Sequence, residues 1–329
     1  MKATGLSENG SVIVAVCFDN QTEKLVDAAV QICRLTKQDL CMVNVLVPSS
    51  TVIWNGEIYG GITADDLLQA NDSMLRESSE AQLLELSTRI PDDVNWRVSA
   101  MVGDPVSMIL AESKKYSGKM IVSGSGKGKH WLIPKSMSTV LSLMAEAHVP
   151  VLVINEQAEL ELPEGGQGFK ILIMDDLSDA SKHAIEGVFA SLAEFAGSQV
   201  CHTHVSGLTK DALGAAIVSA SAAVRSGVVS DLEKDDVFKA IEEKGLERLR
   251  DRVGPGFRDI FNEKNGRYLP KMLYGNVSEA LKAVIEEFDP HVICFGKHSS
   301  FHKGRPFAIG QVAYGTMLGQ SKPILVMGA

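Results

Sequence analysis

Two short stretches of the chain hold the residue types that handle phosphate. IVSGSGKGKHWLIPKS, Ile121 to Ser136, runs from an apolar segment into three glycines interleaved with lysines. ICFGKHSSFHKG, Ile293 to Gly304, leaves another apolar segment and offers Gly296, Lys297, His298, Ser299 and Ser300 within five positions. Glycines let a backbone approach phosphate oxygens, while serines and cations supply donors and charge. A nucleotide-binding P-loop would need Gly, four residues, Gly-Lys and then Ser or Thr. Here Gly124 and Gly128 are separated by three residues, and His130 follows Lys129. Taken alone, the first stretch therefore reads as a solvated turn at the edge of a sheet.

Other chemistry is sparse. His202 and His204 alternate on a strand pattern and so share one face, but no HxxxH, CxxC or carboxylate cluster accompanies them, and no metal site is predicted. No GxSxG elbow is present, and His298 beside Ser299 is adjacency in sequence, not triad geometry. Cys17, at the end of a strand pattern, is expected to be a buried thiol. Asp104 of GDP and Asn276 of GNV read as helix N-caps, with Pro105 at a first helical position and Glu279 three residues after Asn276. No catalytic residue is assigned.

The elements that must position these residues occur twice. The first half reads SVIVAVCF, an amphipathic stretch from Thr22 to Leu35, LCMVNVLV, WRVSAMVGDP, KMIVSGSGKG and VPVLVI. The second reads FKILIMDD, Ser181 to Phe195, SQVCHTHV, LPKMLYGNVSEA, HVICFGKHSS and KPILVM. Register supports the repeat: Gly103 to Gly275 and Gly124 to Gly296 are both shifts of 172, Pro150 to Pro323 is 173, and Cys17 to Asp176 is 159. Ile185, Val188, Leu192 and Phe195 recur at helical spacing, and the strand runs are continuously apolar, as in parallel strands covered on both faces. The pattern predicts an α/β fold of two tandem doubly wound parallel-sheet domains, at 1–156 and 169–329, with an acidic, glycine-rich linker at 157–168. LLQANDSMLRESSEAQLLELS and VFKAIEEKGLERLRDR read as long sheet-covering helices, and TVIWNGEIYGG, with Trp54 and Tyr59, as a partner-binding patch.

The order of these pieces, present twice, resembles the universal stress protein family in a tandem form covering nearly the whole chain. The resemblance rests on an opening strand ending near an Asp, GDP or GNV before a helix, a Gly-rich loop after the fourth strand, and a final Pro-Val-Leu-Val-like strand. It implies Rossmann-like, adenine nucleotide alpha hydrolase-like domains that pair through their last strands, VLVI and ILVM, as an intrachain pseudo-dimer able to form a homodimer. Nucleotide-binding members carry the Asp and a loop of Gly, two residues, Gly, nine residues, Gly, then Ser or Thr. In the first half Cys17 occupies the Asp position, Lys127 and Met137 replace two glycines, and only Ser138 keeps the closing pair. In the second half Asp176 keeps its place and Gly296 and Gly310 bracket the loop, with Ser299 for the middle glycine, one extra residue, and Gln311 for Ser or Thr. The resemblance thus implies ATP or a related adenine nucleotide in the second domain, on Asp176 and Val205 at the adenosine end and Gly296, His298, Ser299, Gly310, Gln311 and Val312 along the loop.

Composition narrows the partners. The 329 residues carry 32 basic and 41 acidic side chains, a formal net charge of -9, which argues against nucleic acid and anionic membranes. The opening residues have no apolar signal region, and the five cysteines are odd in number and widely spaced, as suits a cytoplasmic protein without disulfides. Three readings follow: a stress-response protein with a regulatory adenine nucleotide in its second domain, an interaction module of the same fold with unidentified protein partners, or a slow ATP hydrolase.

Overall fold

The structure is a computed structural model, and it describes residues 10–47, 64–125, 135–192, 195–207, 209, 211–216, 231–263, 265–296 and 321–327. The chain divides into two compact units, Met1–Glu159 and Leu160–Ala329.

The first unit contains β1 (Ser11–Ala15), α1 (Thr22–Thr36), β2 (Asp39–Leu46), α2 (Ala64–Ser87), β3 (Trp96–Val102), α3 (Pro105–Lys115), β4 (Gly118–Gly124), α4 (Lys135–Glu146) and β5 (Val151–Ile154). Its strands lie in the order β3-β2-β1-β4-β5, and every pairing is parallel. Right-handed crossovers in this order place α1 and α2 on one face and α3 and α4 on the other. Strands covered on both faces must be apolar throughout, and Val12, Ile13 and Val14 are accordingly fully buried.

The second unit repeats the plan with β6 (Lys170–Met174), α5 (Asp179–Leu192), β7 (Gln199–Ser206), a helical segment α6 at 211–216, α7 (Asp231–Val253), α8 (Pro255–Glu263), β8 (Arg267–Tyr274), α9 (Val277–Phe288), β9 (Val292–Gly296) and β10 (Ile324–Met327). The order is β8-β7-β6-β9-β10, again all parallel. Helices α5, α7 and α8 pack on one another along one face, while α9 covers β7 and β8. The helical stripe of α5 buries Ile185 and Val188, and Phe195 is half-buried. Both long charged helices form as their patterns predict, as α2 and α7.

Matched positions reveal one design built twice. Pairing of Ser11 with Asp39 and of Lys170 with Gln199 puts β7 a shift of 199 − 39 = 160 from β2. Asn44 and His204 therefore correspond, and both satisfy a carbonyl at the same turn. Asn44 Nδ2 donates to the Val16 carbonyl at 2.6 Å, and His204 Nδ1 donates to the Asp175 carbonyl at 2.7 Å. These carbonyls lie just past the first strand of each unit, where the chain leaves the sheet through a left-handed residue, Phe18 (φ 53°) or Leu177 (φ 64°). Without the side-chain donor a buried carbonyl at the turn would lack a partner. The caps also recur: Asp104 Oδ2 accepts from Ser107 N at 2.9 Å, and Asn276 Oδ1 from Ser278 N at 2.9 Å and Glu279 N at 3.3 Å.

Candidate functional site

In an open parallel sheet, ligands bind outside the carboxyl ends of the strands, at the point where the strand order reverses. In the second unit that point lies between β6 and β9, which pair up to Met174 and Phe295. Asp176 lies two residues past Met174, and Gly296 one past Phe295, so the structure brings these two predicted residues to adjacent strand ends. Val205, half-buried near the end of β7, stands on the other side of β6. His298, Ser299, Gly310, Gln311 and Val312, like the loop of the first domain from Gly126 and the Trp54/Tyr59 patch, lie outside the described residues.

Gly296 has a role independent of any ligand. A Cβ there would sit 2.5 Å from Ser181 Cα and 2.9 Å from Ser181 N, so only glycine lets α5 start directly against the end of β9. Its counterpart Gly124 faces Gln21 and Leu25 of the first unit, at 3.0 and 3.2 Å from the same hypothetical atom.

Two successive carboxylates follow β6 and behave differently. Asp176 is exposed, its Oδ1 accepting from Ser178 N at 2.9 Å and lying 2.8 Å from Ser181 Oγ. Asp175 is buried and held from four sides. Leu177 N donates to Oδ1 at 2.7 Å and Ser181 Oγ at 2.6 Å, while Oδ2 receives His202 Nε2 at 2.9 Å and Arg252 Nε at 2.5 Å. Burial alone would push the Asp175 carboxyl upward, but the hydrogen bonds from His202 and Ser181, with the charge of Arg252, bring it down to about 2.

The network continues inward. Burial pulls the His202 pKa below 6.5, against the opposing hydrogen bond and charge of Asp175, so the ring is neutral. A carboxylate only accepts, which makes Nε2 the donor and leaves Nδ1 to accept from the Tyr268 hydroxyl at 2.8 Å. That hydroxyl is also 3.1 Å from the Leu249 carbonyl of α7. Arg252, near the end of α7, bonds the Leu177 and Ser178 carbonyls and reaches Ser181 Oγ at 2.9 Å. α7 is thus fastened to the β6–α5 turn by an ion pair and to β7 and β8 through a buried polar chain.

His202 and His204 share a face, as their alternation predicts, yet their nitrogens go to the two ends of Asp175, the carboxylate and the carbonyl. Sequence reading missed this use because the partners are far apart along the chain: 27 residues for His202 and 77 for Arg252. The available signal was a histidine inside the otherwise apolar run of β7. The first unit places Val16 and Met42, both buried, at the positions of Asp175 and His202. Cys17 is a correction: its predicted burial fails, since it is exposed while the other four cysteines are buried. It lies two residues beyond Ala15, the last paired residue of β1. Partial desolvation and then the Asp19 carboxylate raise its pKa, so it remains a thiol.

No protein-family model and no curated protein matches the sequence. Among solved structures, a universal stress protein from Archaeoglobus fulgidus DSM 4304 aligns with 97% of this chain and 96% of its own at 14% identity and a TM-score of 0.54. A functionally unknown protein from Pseudomonas aeruginosa PAO1 aligns with 97% of this chain and 92% of its own, at 14% identity and a TM-score of 0.51. At this identity the likeness is one of fold: the chain has two tandem Rossmann-like α/β domains arranged in sequence as in that universal stress protein.

Proposed function

We propose that the chain acts as a cytoplasmic stress-response protein of the universal stress protein type, whose second domain binds ATP or a related adenine nucleotide as a regulatory ligand. The observation that carries this reading is the convergence of Asp176, Val205 and Gly296 on three neighbouring strand ends at the reversal of strand order. In this reading the exposed Asp176 carboxylate accepts from ribose hydroxyls, and the loop beginning at Gly296 takes the phosphates. The first domain offers Cys17 at the Asp176 position and serves as a structural copy. The nucleotide is read as a ligand, not a substrate, because His202, the imidazole bonded to the Asp175 carboxylate, is fully buried with both nitrogens engaged.

One observation favours a second reading, the interaction module: Arg252 already takes up the Asp175 charge and the carbonyls of Leu177 and Ser178, leaving less of the turn for a ligand. Calorimetric titration with ATP, alongside mass spectrometry of small molecules released from the purified protein, separates the two. Asp176→Ala should weaken ATP by roughly tenfold or more, the value of a hydrogen bond to a charged group, and Cys17→Ala should not. An unliganded protein that shows no thermal shift with millimolar ATP supports the module instead.

A further inference from the structure

The second domain holds a cavity that the nucleotide reading does not use. It measures about 320 Å³ and lies between α7 and the carboxyl ends of β7 and β8. His204 and Ser206 of β7 line it, and side-chain alternation places them on the face opposite Val205, away from the assigned adenosine end. Its walls are largely apolar, from Leu177, Leu213, Ile241, Met272 and the ring of Tyr274. Burial and then the charge of Glu242 raise the Tyr274 pKa, so its phenol stays neutral.

Gly245 sets the spacing. It sits inside α7, where glycine costs about 1 kcal/mol relative to alanine, and a Cβ there would lie 2.9 Å from Met272 Sδ and Cε. The helix therefore rides close on β8 at one point and leaves the cavity beside it. Lys244 and Arg248, one turn apart on α7, are exposed and bring two cations to the lining. Among the described residues no carboxylate forms an ion pair with either. Two cations without an ion-pair partner among the described residues, over an apolar floor, point to the sign and shape of a ligand: an anionic head and an apolar body. The volume stands at the lower end of the ~300–1,000 Å³ usual for ligand pockets, which suits a one- or two-ring molecule better than a nucleoside triphosphate.

We propose that this cavity binds a small amphipathic carboxylate, with an aromatic or branched aliphatic body against Met272 and Leu177 and its carboxylate on Lys244 and Arg248. The probe is 2-naphthoate, titrated calorimetrically into the full chain, with 2-naphthamide as its neutral counterpart. Saturable binding is expected, weakened roughly tenfold in Lys244→Ala and again in Arg248→Ala, and at least tenfold for the amide. Both side chains are exposed, so the variants should keep the wild-type melting temperature. Asp176→Ala should leave naphthoate affinity unchanged, and ATP should not displace it, whether or not ATP binds elsewhere. The proposal is overturned by any of four results: no binding at millimolar naphthoate, wild-type affinity in the double variant, equal affinity for the amide, or competitive displacement by ATP.

Discussion

Replacing Asp175 with asparagine should change how the second domain responds to acid. In the folded chain this carboxyl titrates at about 2, against an ordinary 3.8. A depressed carboxylate pKa contributes stability that is whole above about pH 4 and lost as pH falls through 2. The difference, nearly two pH units, is worth about 2 kcal/mol, of which about 1 kcal/mol is gone by pH 3. His202 acts in the same direction. Its folded pKa lies below 6.5, so the unfolded chain takes up the proton first and stability declines as pH drops below that value. Asp175→Asn retains the histidine contribution and loses the other. At pH 7 the variant should be less stable by about 3 kcal/mol, because Arg252 is left without its carboxylate. That gap should narrow by about 1 kcal/mol between pH 5 and pH 3. Urea unfolding at each pH, read by hydrogen exchange of peptides from β6 and β7, gives the measurement. Tryptophan emission will not serve, since Trp54, Trp96 and Trp131, the chain's three tryptophans, all precede Glu159. Peptides from β1 and β2, where Val16 and Met42 replace the titrating pair, are the internal control. A gap that stays constant to pH 3, or the same response in β1 and β2, would refute the reasoning.

Two further outcomes can be checked on the purified protein. Gly296→Ala should destabilise by about 1–3 kcal/mol, because its Cβ would have to displace the start of α5 at Ser181, whereas Gly207→Ala, with nothing within 4 Å, should melt within experimental error of wild type; equal melting temperatures for the two would remove the close-approach argument. Of the five cysteines only Cys17 is exposed, so a thiol reagent should modify one equivalent in the native protein, more slowly than a free thiol because its pKa is raised, and none in Cys17→Ser; loss of a second thiol at a comparable rate would contradict the burial of Cys33, Cys41, Cys201 and Cys294.

Most of the architecture was legible in the residues because its signals are local. Continuous apolar runs gave the parallel strands, the Thr22 to Leu35 periodicity gave α1 to within a residue, and GDP and GNV gave caps whose hydrogen bonds form as expected. The constant shift from Gly103 to Gly275 and from Gly124 to Gly296 corresponds to strand ends in equivalent places. The site was legible only where it depends on single positions in a matched register, as with Asp176 and Gly296. What escaped were contacts between distant segments. Nothing in the neighbourhood of Arg252 announces that it will neutralise Asp175, and Tyr268 meets His202 only because β7 and β8 pair in parallel. Cys17 was misjudged for a related reason: an apolar strand pattern says where burial begins, but the first residue past the sheet is decided by what the turn brings over it.

The left-handed turns at Phe18 and Leu177 share a backbone shape but not a chemistry. At the positions of the second turn's buried groups the first has Val16, Met42 and Asn44, none of which changes charge in water; the second has a carboxylate and two imidazoles there, with a guanidinium against them. The duplicated chain therefore carries interchangeable parts for one structural role. Transplanting the first domain's set into the second, with Arg252 shortened to match, offers a route to an acid-tolerant protein, since well-packed apolar replacements of buried ion pairs are often neutral or stabilising. The reverse transplant would install a proton-sensitive catch where the chain has none, turning half of an inherited duplication into an engineering template for the other.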